Sequence, residues 1–415
     1  MAASSSFYDV ELLTFTYGGD CMGRLPDGRA VFVPYTLPGE WARVELVEEK
    51  RSYARGKLLE VLKPSPDRIP PRCVHYRICG GCHYQHMDYP HQLKVKQDIV
   101  RDSLKRIASI ADPPMASVHP SPVPWNYRNS IAFHLDSDGK VGYLEAASNK
   151  VVSIRECHLP EQPINELWPQ LEFEPLIDLQ RVHLRLGGGD ELLLGLESSD
   201  PQPPEFSVDI PLSAVYLGPA GRLILAGEDY LVMEVLGKPF KVRADSFFQV
   251  NTLQAEAMLQ YLLAALPPNS SAAFLDIYCG VGIFTAFLAP RYARCLAIEA
   301  SPSACDDFVE NLDEYENVEL YIGPAEEVLP RLQVKGGVAV IDPPRVGMER
   351  AALDALLEIA PEVIAYVSCD PATMARDVKR LVAGGYQINS VKPFDLFPQT
   401  YHIECIVLMK RVESK

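Results

Sequence analysis

Two short blocks near the C-terminus limit the folds open to this 415-residue chain: IDPPRVGM, Ile341 to Met348, and YVSCDPATMARD, Tyr366 to Asp377. Each follows or overlaps an apolar run, Val338–Ile341 and Val363–Val367, of the kind that forms a parallel strand buried on both faces. Proline comes next in each block, so Asp342 and Cys369 fall at the carboxyl ends of neighbouring strands. In an open α/β sheet that edge is where ligands bind. A thiol and a carboxylate placed there together point to chemistry on a substrate.

The flanking sequence predicts such a sheet. Helical patterns at Gln254–Ala265, Ile283–Leu288, Ser303–Leu312, Arg350–Ile359 and Ala372–Leu381 alternate with strand patterns at Ala273–Ile277, Cys295–Ile298, Val318–Ile322, Val338–Ile341 and Val363–Val367. Two last strands fall near Ile388–Val391 and His402–Met409. This alternation is that of a doubly wound α/β domain. Its first strand ends in LDIYCGVG, where Asp276 precedes a turn carrying Gly280 and Gly282. The second ends in AIEAS, which places Glu299 about 20 residues on, where dinucleotide-binding folds hold an acid for ribose hydroxyls. The pattern G-x-G-x-x-G is not met, so the glycines alone decide little.

Upstream, strand-like runs at Val10–Phe15, Ala30–Val33, Ala42–Val47 and Gly56–Leu62 are separated by glycine turns, as in a small OB-like barrel. A proline-rich joint, Pro64 to Pro71, follows. Directly after it stand Cys73, Cys79 and Cys82, with Gly80 and Gly81 between the last two. Three thiolates at this spacing suggest a metal. Zinc would need a fourth ligand, for which His75, His83 and His86 are at hand. A [4Fe–4S] cluster would need a fourth cysteine, and Cys157 in IRECHLP is a candidate. An amphipathic helix is expected over His91–Ala108. A β meander with a turn at Asp138–Gly139 comes next, then an acidic β-rich stretch to Phe240. The predicted domains are a barrel over 1–65, a β-rich central domain over 66–240 carrying the cysteines, and the α/β domain over 241–415.

A formal net charge of −16 argues against a general polyanion binder, but the charge is uneven. Trp41 to Arg106 holds 14 lysines and arginines against 8 acids, whereas Pro160 to Phe240 holds 4 against 14. A basic N-terminal third can grip a nucleic acid locally. Ten cysteines are too few for a disulfide scaffold. The N-terminus lacks a basic-then-apolar leader, and no apolar run approaches the roughly 18 residues of a membrane span. We therefore expect a cytoplasmic chain, monomeric, with no membrane and no obligate protein partner.

The motifs carry a family resemblance. DGRAVFVPYTLPGEWARVEL resembles a TRAM domain, an OB-like RNA-binding barrel, and LDIYCGVG resembles motif I of class I S-adenosylmethionine-dependent methyltransferases. FFQVNTLQAE, DIYCGVG, IDPPR, SCDPAT and FPQTYHIE, in that order, resemble the RNA uracil-C5-methyltransferase family. The resemblance covers nearly the whole chain. It implies a Rossmann-like catalytic domain that uses S-adenosylmethionine, with Cys369 as nucleophile and Glu404 as proton acceptor. Gln249, Tyr278, Glu299 and Asp342 are the implied cofactor positions, with Asp276, Gly280 and Gly282 of motif I. The barrel and cysteine segments resemble the 23S ribosomal RNA branch, which implies a [4Fe–4S] cluster on Cys73, Cys79, Cys82 and Cys157. A transfer RNA enzyme is the alternative within the class. From another class comes a non-catalytic RNA-binding or iron–sulfur protein that keeps the fold. Ile283 departs from the family, which often has a polar residue there.

The chemistry explains the residue types. Carbon 5 of uracil is a poor nucleophile, and a thiolate adding at carbon 6 makes it an enolate carbon able to attack a methyl donor. A base must then remove the carbon 5 proton before the thiol can leave. Because Cys369 ends a strand just before a helix, a thiol facing that helix N-terminus would have a lowered pKa. The target uridine must leave its stack, so it should lie in a loop or flip out.

Overall fold

The N-terminal strands close on themselves. The computed structural model describes residues 7–146, 148–174, 178–205, 207 and 209–412. In it β1 (Phe7–Phe15), β2 (Asp20–Arg24), β3 (Ala30–Pro34), β4 (Trp41–Glu49) and β5 (Tyr53–Lys63) form a closed barrel in the order β1-β2-β3-β5-β4. Strand alternation points Val10, Leu12, Val31, Val33, Ala42 and Val44 into its core. The short polar β2, DCMGR, has no apolar run to announce it.

Next comes α1 (Tyr89–Arg106), capped by Asp88, whose side chain accepts from His91 N at 2.9 Å. The middle of the chain builds a seven-stranded sheet from β6 (Ser130–Leu135), β7 (Val141–Leu144), β8 (Val151–Ser153), β9 (Leu179–Leu186), β10 (Leu192–Ser198), β11 (Ser213–Gly218) and β12 (Gly221–Ala226). Its order is β12-β11-β10-β9-β6-β7-β8. A short helix α2 (Gln162–Leu167) covers Phe133, Val182 and Leu184 together with Trp168. A hairpin, β13 (Tyr230–Val235) and β14 (Lys238–Arg243), then leads to the α/β unit.

That unit runs α3 (Thr252–Ala265), β15 (Asn269–Ile277), α4 (Ile283–Leu288), β16 (Tyr292–Glu299), α5 (Pro302–Asn311), β17 (Val318–Ile322), α6 (Ala325–Val328), β18 (Val338–Ile341), α7 (Arg350–Ile359), β19 (Val363–Ser368), α8 (Pro371–Ala383), β20 (Tyr386–Phe394) and β21 (Glu404–Arg411). The strand order is β17-β16-β15-β18-β19-β21-β20, parallel except for β21, which runs antiparallel to both neighbours. The winding direction reverses between β15 and β18, the crevice where such sheets bind ligands.

Packing joins segments that lie far apart in the chain. Val100 and Leu104 of α1 are buried in the same cluster as Leu356 of α7 and Val378 of α8. Met233, Val235, Phe240 and Val242 of the hairpin pack with Leu259 and Phe308 of the α/β unit. Helix α1 and all of the hairpin but its last three residues fall in the 66–240 stretch expected for the central domain. Helical periodicity shows that an apolar face exists, not which surface it covers.

Candidate active site

At the carboxyl edge of the parallel strands lies a cavity of about 930 Å³. Gln249, Tyr278, Gly280, Glu299, Asp342, Cys369 and Glu404 all line it. Seven of the nine residues expected at the catalytic and cofactor positions are thus gathered in one crevice. Gly282 and Asp276 lie behind its wall. Gly282 starts α4 at φ 93°, and a Cβ there would come within 2.8 Å of Leu312 and 2.9 Å of Phe308. Its job is close packing on α5. Asp276 is fully buried, with Oδ2 accepting from Thr285 Oγ1 at 2.5 Å and Oδ1 unpartnered.

Strand pairing brings Cys369 and Glu404 near each other. The antiparallel ladder ends with Ser368 of β19 paired to Cys405 of β21, so Cys369 and Glu404 follow directly at that end of the ladder, and both line the cavity, the Glu404 charge reaching the thiol. Glu404 is 4% exposed and its Oε1 has no hydrogen-bond partner. Cys405, one residue on, turns to the opposite face and joins the core.

Electrostatics set the resting state. Burial raises the Glu404 carboxyl well above the usual range, the neighbouring Asp342 raises it further, and Arg345 opposes both. Burial, with Asp276 and Glu299 nearby, pushes Asp342 up to about 7. The Cys369 thiol is not activated by its helix. Burial first, then Glu404 and Asp342, push it up to about 12, with Arg345 again opposing. The expectation of a lowered pKa is corrected. The N-terminus of α8 is already occupied by Asp370, whose Oδ1 accepts from Ala372 N and Thr373 N at 2.9 Å each, so it offers the thiol little.

The cavity suits a cationic cofactor. Glu299, Glu326, Asp342, Glu349 and Glu404 line it against one cation, Arg345. Glu299 ties the first two strands together: Oε2 accepts from Gly280 N at 2.9 Å, and Oε1 from Ala300 N and Ser301 N at 2.8 Å. A carboxylate has about four acceptor sites, which leaves capacity for a ribose hydroxyl. Tyr278 holds φ at 67°, a left-handed conformation uncommon for a side chain of its size. At the mouth, Phe247 is 69% exposed. Neither Phe247 nor the aromatic wall at Phe397 was singled out from sequence, although both sit inside the quoted motifs.

The cysteine segment meets Cys157 through backbone contacts. Val74 N donates to Glu156 Oε1 at 2.8 Å, and Arg155 N to His75 Nε2 at 3.0 Å. Each of Cys73, Cys79 and Cys82 feels the charge of Cys157. Two of the histidines are engaged elsewhere: His75 Nε2 accepts from Arg155 N, and His86 Nδ1 pairs with Tyr76 Oη at 2.6 Å. The His83 ring meets Tyr401 edge-on, 4.5 Å between centroids, and its buried Nδ1 has no hydrogen-bond partner among the described residues. Among the described residues no group of three or more His, Cys, Asp or Glu side chains is close enough to hold a single metal ion.

Fold and crevice together define a class I S-adenosylmethionine-dependent methyltransferase. Residues 220–412 match the family model described as tRNA (Uracil-5-)-methyltransferase, and residues 6–59 match the TRAM domain. A Nostoc protein named an uncharacterized RNA methyltransferase is 35% identical over 98% of this chain and 96% of its own. One from Thermosynechococcus vestitus is 33% identical over 97% of each. Among solved structures, the Pyrococcus abyssi tRNA (uracil-54, C5)-methyltransferase in complex with S-adenosyl-L-homocysteine aligns with TM-score 0.75 and 25% identity, over 96% of this chain and 99% of that one. This chain belongs to the RNA (uracil-C5)-methyltransferase family, with a TRAM barrel at its N-terminus. No helix among the described residues is long and apolar enough to cross a membrane.

Proposed function

We propose that the chain methylates carbon 5 of a uridine in RNA, with Cys369 as the nucleophile and Glu404 as the base. The observation that carries this reading is that Cys369 and Glu404, next to the last β19–β21 pair, line the same cavity with the Glu404 charge acting on the thiol. When bound, S-adenosylmethionine supplies the sulfonium methyl. Cys369 adds to carbon 6. Glu404, through its unpartnered Oε1, takes the carbon 5 proton after transfer. Asp342 and Gln249 serve the cofactor or the uracil edge from the same wall, Tyr278 and Glu299 the cofactor, and Asp276 with the glycines supports the turn beneath it. Cys73, Cys79, Cys82 and Cys157 hold a [4Fe–4S] cluster. The site assignments rest on placement and on the family resemblance.

For the substrate we propose 23S ribosomal RNA, on the combination of barrel and cysteine site. A transfer RNA uridine is the second reading. The Pyrococcus abyssi tRNA (uracil-54, C5)-methyltransferase matches this chain nearly end to end, so the shared architecture does not by itself separate the two. The test is methyl transfer from labelled S-adenosylmethionine into unmodified ribosomal and transfer RNA in competition, repeated with Cys369→Ala. Label in ribosomal RNA supports the first reading and label in transfer RNA the second. Label in neither removes both.

A further inference from the structure

A second cavity, of about 330 Å³, opens beside the crevice. The stretch FFQVNTL divides the two. Phe247, Phe248 and Gln249 face the crevice, whereas Asn251, Thr252 and Leu253, where α3 begins, face the second cavity. Gln249 and Thr252 are three residues apart, a span of at most about 11 Å. The polar wall offers mostly acceptors. Asn129 is 3% exposed, and its Nδ2 donates to Gln249 O and to Thr252 Oγ1, at 2.9 Å each. A backbone carbonyl only accepts, so the amide is fixed with both hydrogens committed and Oδ1 left as an acceptor. Thr252 Oγ1 accepts from Asn129 and keeps its own hydrogen to give. Half-buried Glu161 stands at the N-cap of α2, yet its carboxylate makes no capping hydrogen bond. Glu234 adds a second carboxylate, and among the described residues no lysine or arginine lines the cavity. Such a site repels phosphate and suits a flat neutral group that brings N–H donors. Buried Leu186 and Met233 supply the apolar surface for its ring. At the rim, between the lining residues Val123 and Asn126, Trp125 carries the exposed Arg72 guanidinium over its ring, 5.2 Å from the centroid. A cation on an aromatic face outside the cavity offers a nucleic-acid strand a partner for its phosphate.

We propose that this cavity takes a second nucleobase of the RNA, close in the strand to the target uridine and bearing an exocyclic amine: adenine, cytosine or guanine. The proposal rests on the reading of RNA as the substrate. The amine hydrogens go to Asn129 Oδ1 and the Glu161 carboxylate, and Thr252 Oγ1 donates to the acceptor beside the amine on the base edge. Uracil has two carbonyls and one N–H, so it would set oxygen against the carboxylates and is disfavoured. The consequence is that the chain selects its target by a neighbouring base as well as by the uridine that enters the crevice.

Gly188, between β9 and β10, lines the cavity outside the left-handed region, and a Cβ there would meet only Val232 O, at 3.4 Å. Gly188→Leu therefore fills the cavity without straining the backbone. The experiment measures, by fluorescence anisotropy on the full chain, the binding of labelled uridine pentamers, either all-uridine or carrying one adenosine, cytidine or guanosine at each position in turn. Free adenosine and cytidine serve as competitors, and S-adenosylmethionine affinity and the thermal midpoint are read beside them. The expected result is that the best amine-bearing pentamer binds about tenfold tighter than all-uridine. Gly188→Leu should abolish that preference with S-adenosylmethionine affinity and midpoint unchanged, and Thr252→Val, which removes the hydroxyl, should reduce it. A wild-type protein with no preference, or a folded Gly188→Leu protein that keeps it, overturns the proposal. Should Gly188→Leu fail to fold, the full wild-type preference in Thr252→Val overturns it instead. Free adenosine or cytidine bound as tightly as the best pentamer would make the cavity a small-molecule site and overturns it too. Methyl transfer into neither ribosomal nor transfer RNA is a different outcome, which removes the proposed function and leaves the pentamer preference to judge the cavity on its own.

Discussion

Lys96 of α1 and Asp395 after β20 form an ion pair of 2.5 Å in which neither side chain is exposed to solvent. Lys96 Nζ also donates to Phe397 O at 3.0 Å, so one buried ammonium ties the upstream helix to the loop that carries Phe397 and leads to Glu404. Burial lowers the lysine pKa and Asp395 opposes that shift. Removing one partner should leave the other charge buried and uncompensated. Lys96→Met is expected to lower unfolding stability by about 3–5 kcal/mol, and Lys96→Met with Asp395→Leu to recover most of it. Urea unfolding of the two variants checks this, and equal losses in both would contradict it.

Asp276 predicts a pH effect on stability. Burial raises its carboxyl from the ordinary value to about 7, a shift that the hydrogen bond from Thr285 only partly offsets. A carboxyl raised on folding leaves stability intact at pH below its unfolded pKa and lowers it as pH climbs through the folded one. The loss attributable to Asp276 should therefore develop between about pH 4 and pH 7. Asp276→Asn should match the wild type near pH 4 and exceed it at pH 8 by on the order of 2 kcal/mol. Parallel stability–pH curves for the two proteins would refute it.

The two motif glycines should separate by phenotype. Gly282 has φ 93° and no room for a Cβ beside Phe308 and Leu312. Gly282→Ala is expected to lower stability by about 1–3 kcal/mol. Gly280, at φ 55°, lines the cavity with open space where a Cβ would go. Gly280→Ala should cost less stability and weaken S-adenosylmethionine binding more, as read by calorimetry beside thermal unfolding.

How far the sequence reached follows from what each element depends on. Local pattern suffices for β18 and α7, whose observed bounds are those predicted, because a fully apolar run and a strong amphipathic face are written into consecutive residues. It failed for β2, which completes the barrel with only five residues and no apolar run beyond Cys21 and Met22. Placement of Cys369, Asp342 and Glu404 was legible because sheet topology converts strand ends into neighbours. Lys96 and the hairpin at Tyr230–Arg243 make their contacts far along the chain, and no local spacing records those. The raised thiol of Cys369 was hidden for the same reason, since the burial that chiefly raises it, and the Glu404 and Asp342 carboxylates that add to it, come from segments distant in the chain.

The cysteine site gives a prediction free of turnover. Protein purified without oxygen should be brown and carry about four iron atoms per chain. Cys157→Ser should lose most of that iron, while His83→Ala and His75→Ala keep it. Stoichiometric zinc in a colourless protein would overturn the cluster assignment.

The most direct test of the proposed addition, methylation and elimination uses Glu404→Gln. With the base removed and Cys369 intact, the reaction should stop after methyl transfer, holding RNA on the enzyme through a sulfur–carbon bond at carbon 6. Denaturing electrophoresis with labelled S-adenosylmethionine should then show a slow band that contains both protein and transferred methyl, and Cys369→Ala in the same background should abolish it. Free methylated RNA released at the wild-type rate by Glu404→Gln, with no such band, would contradict the account.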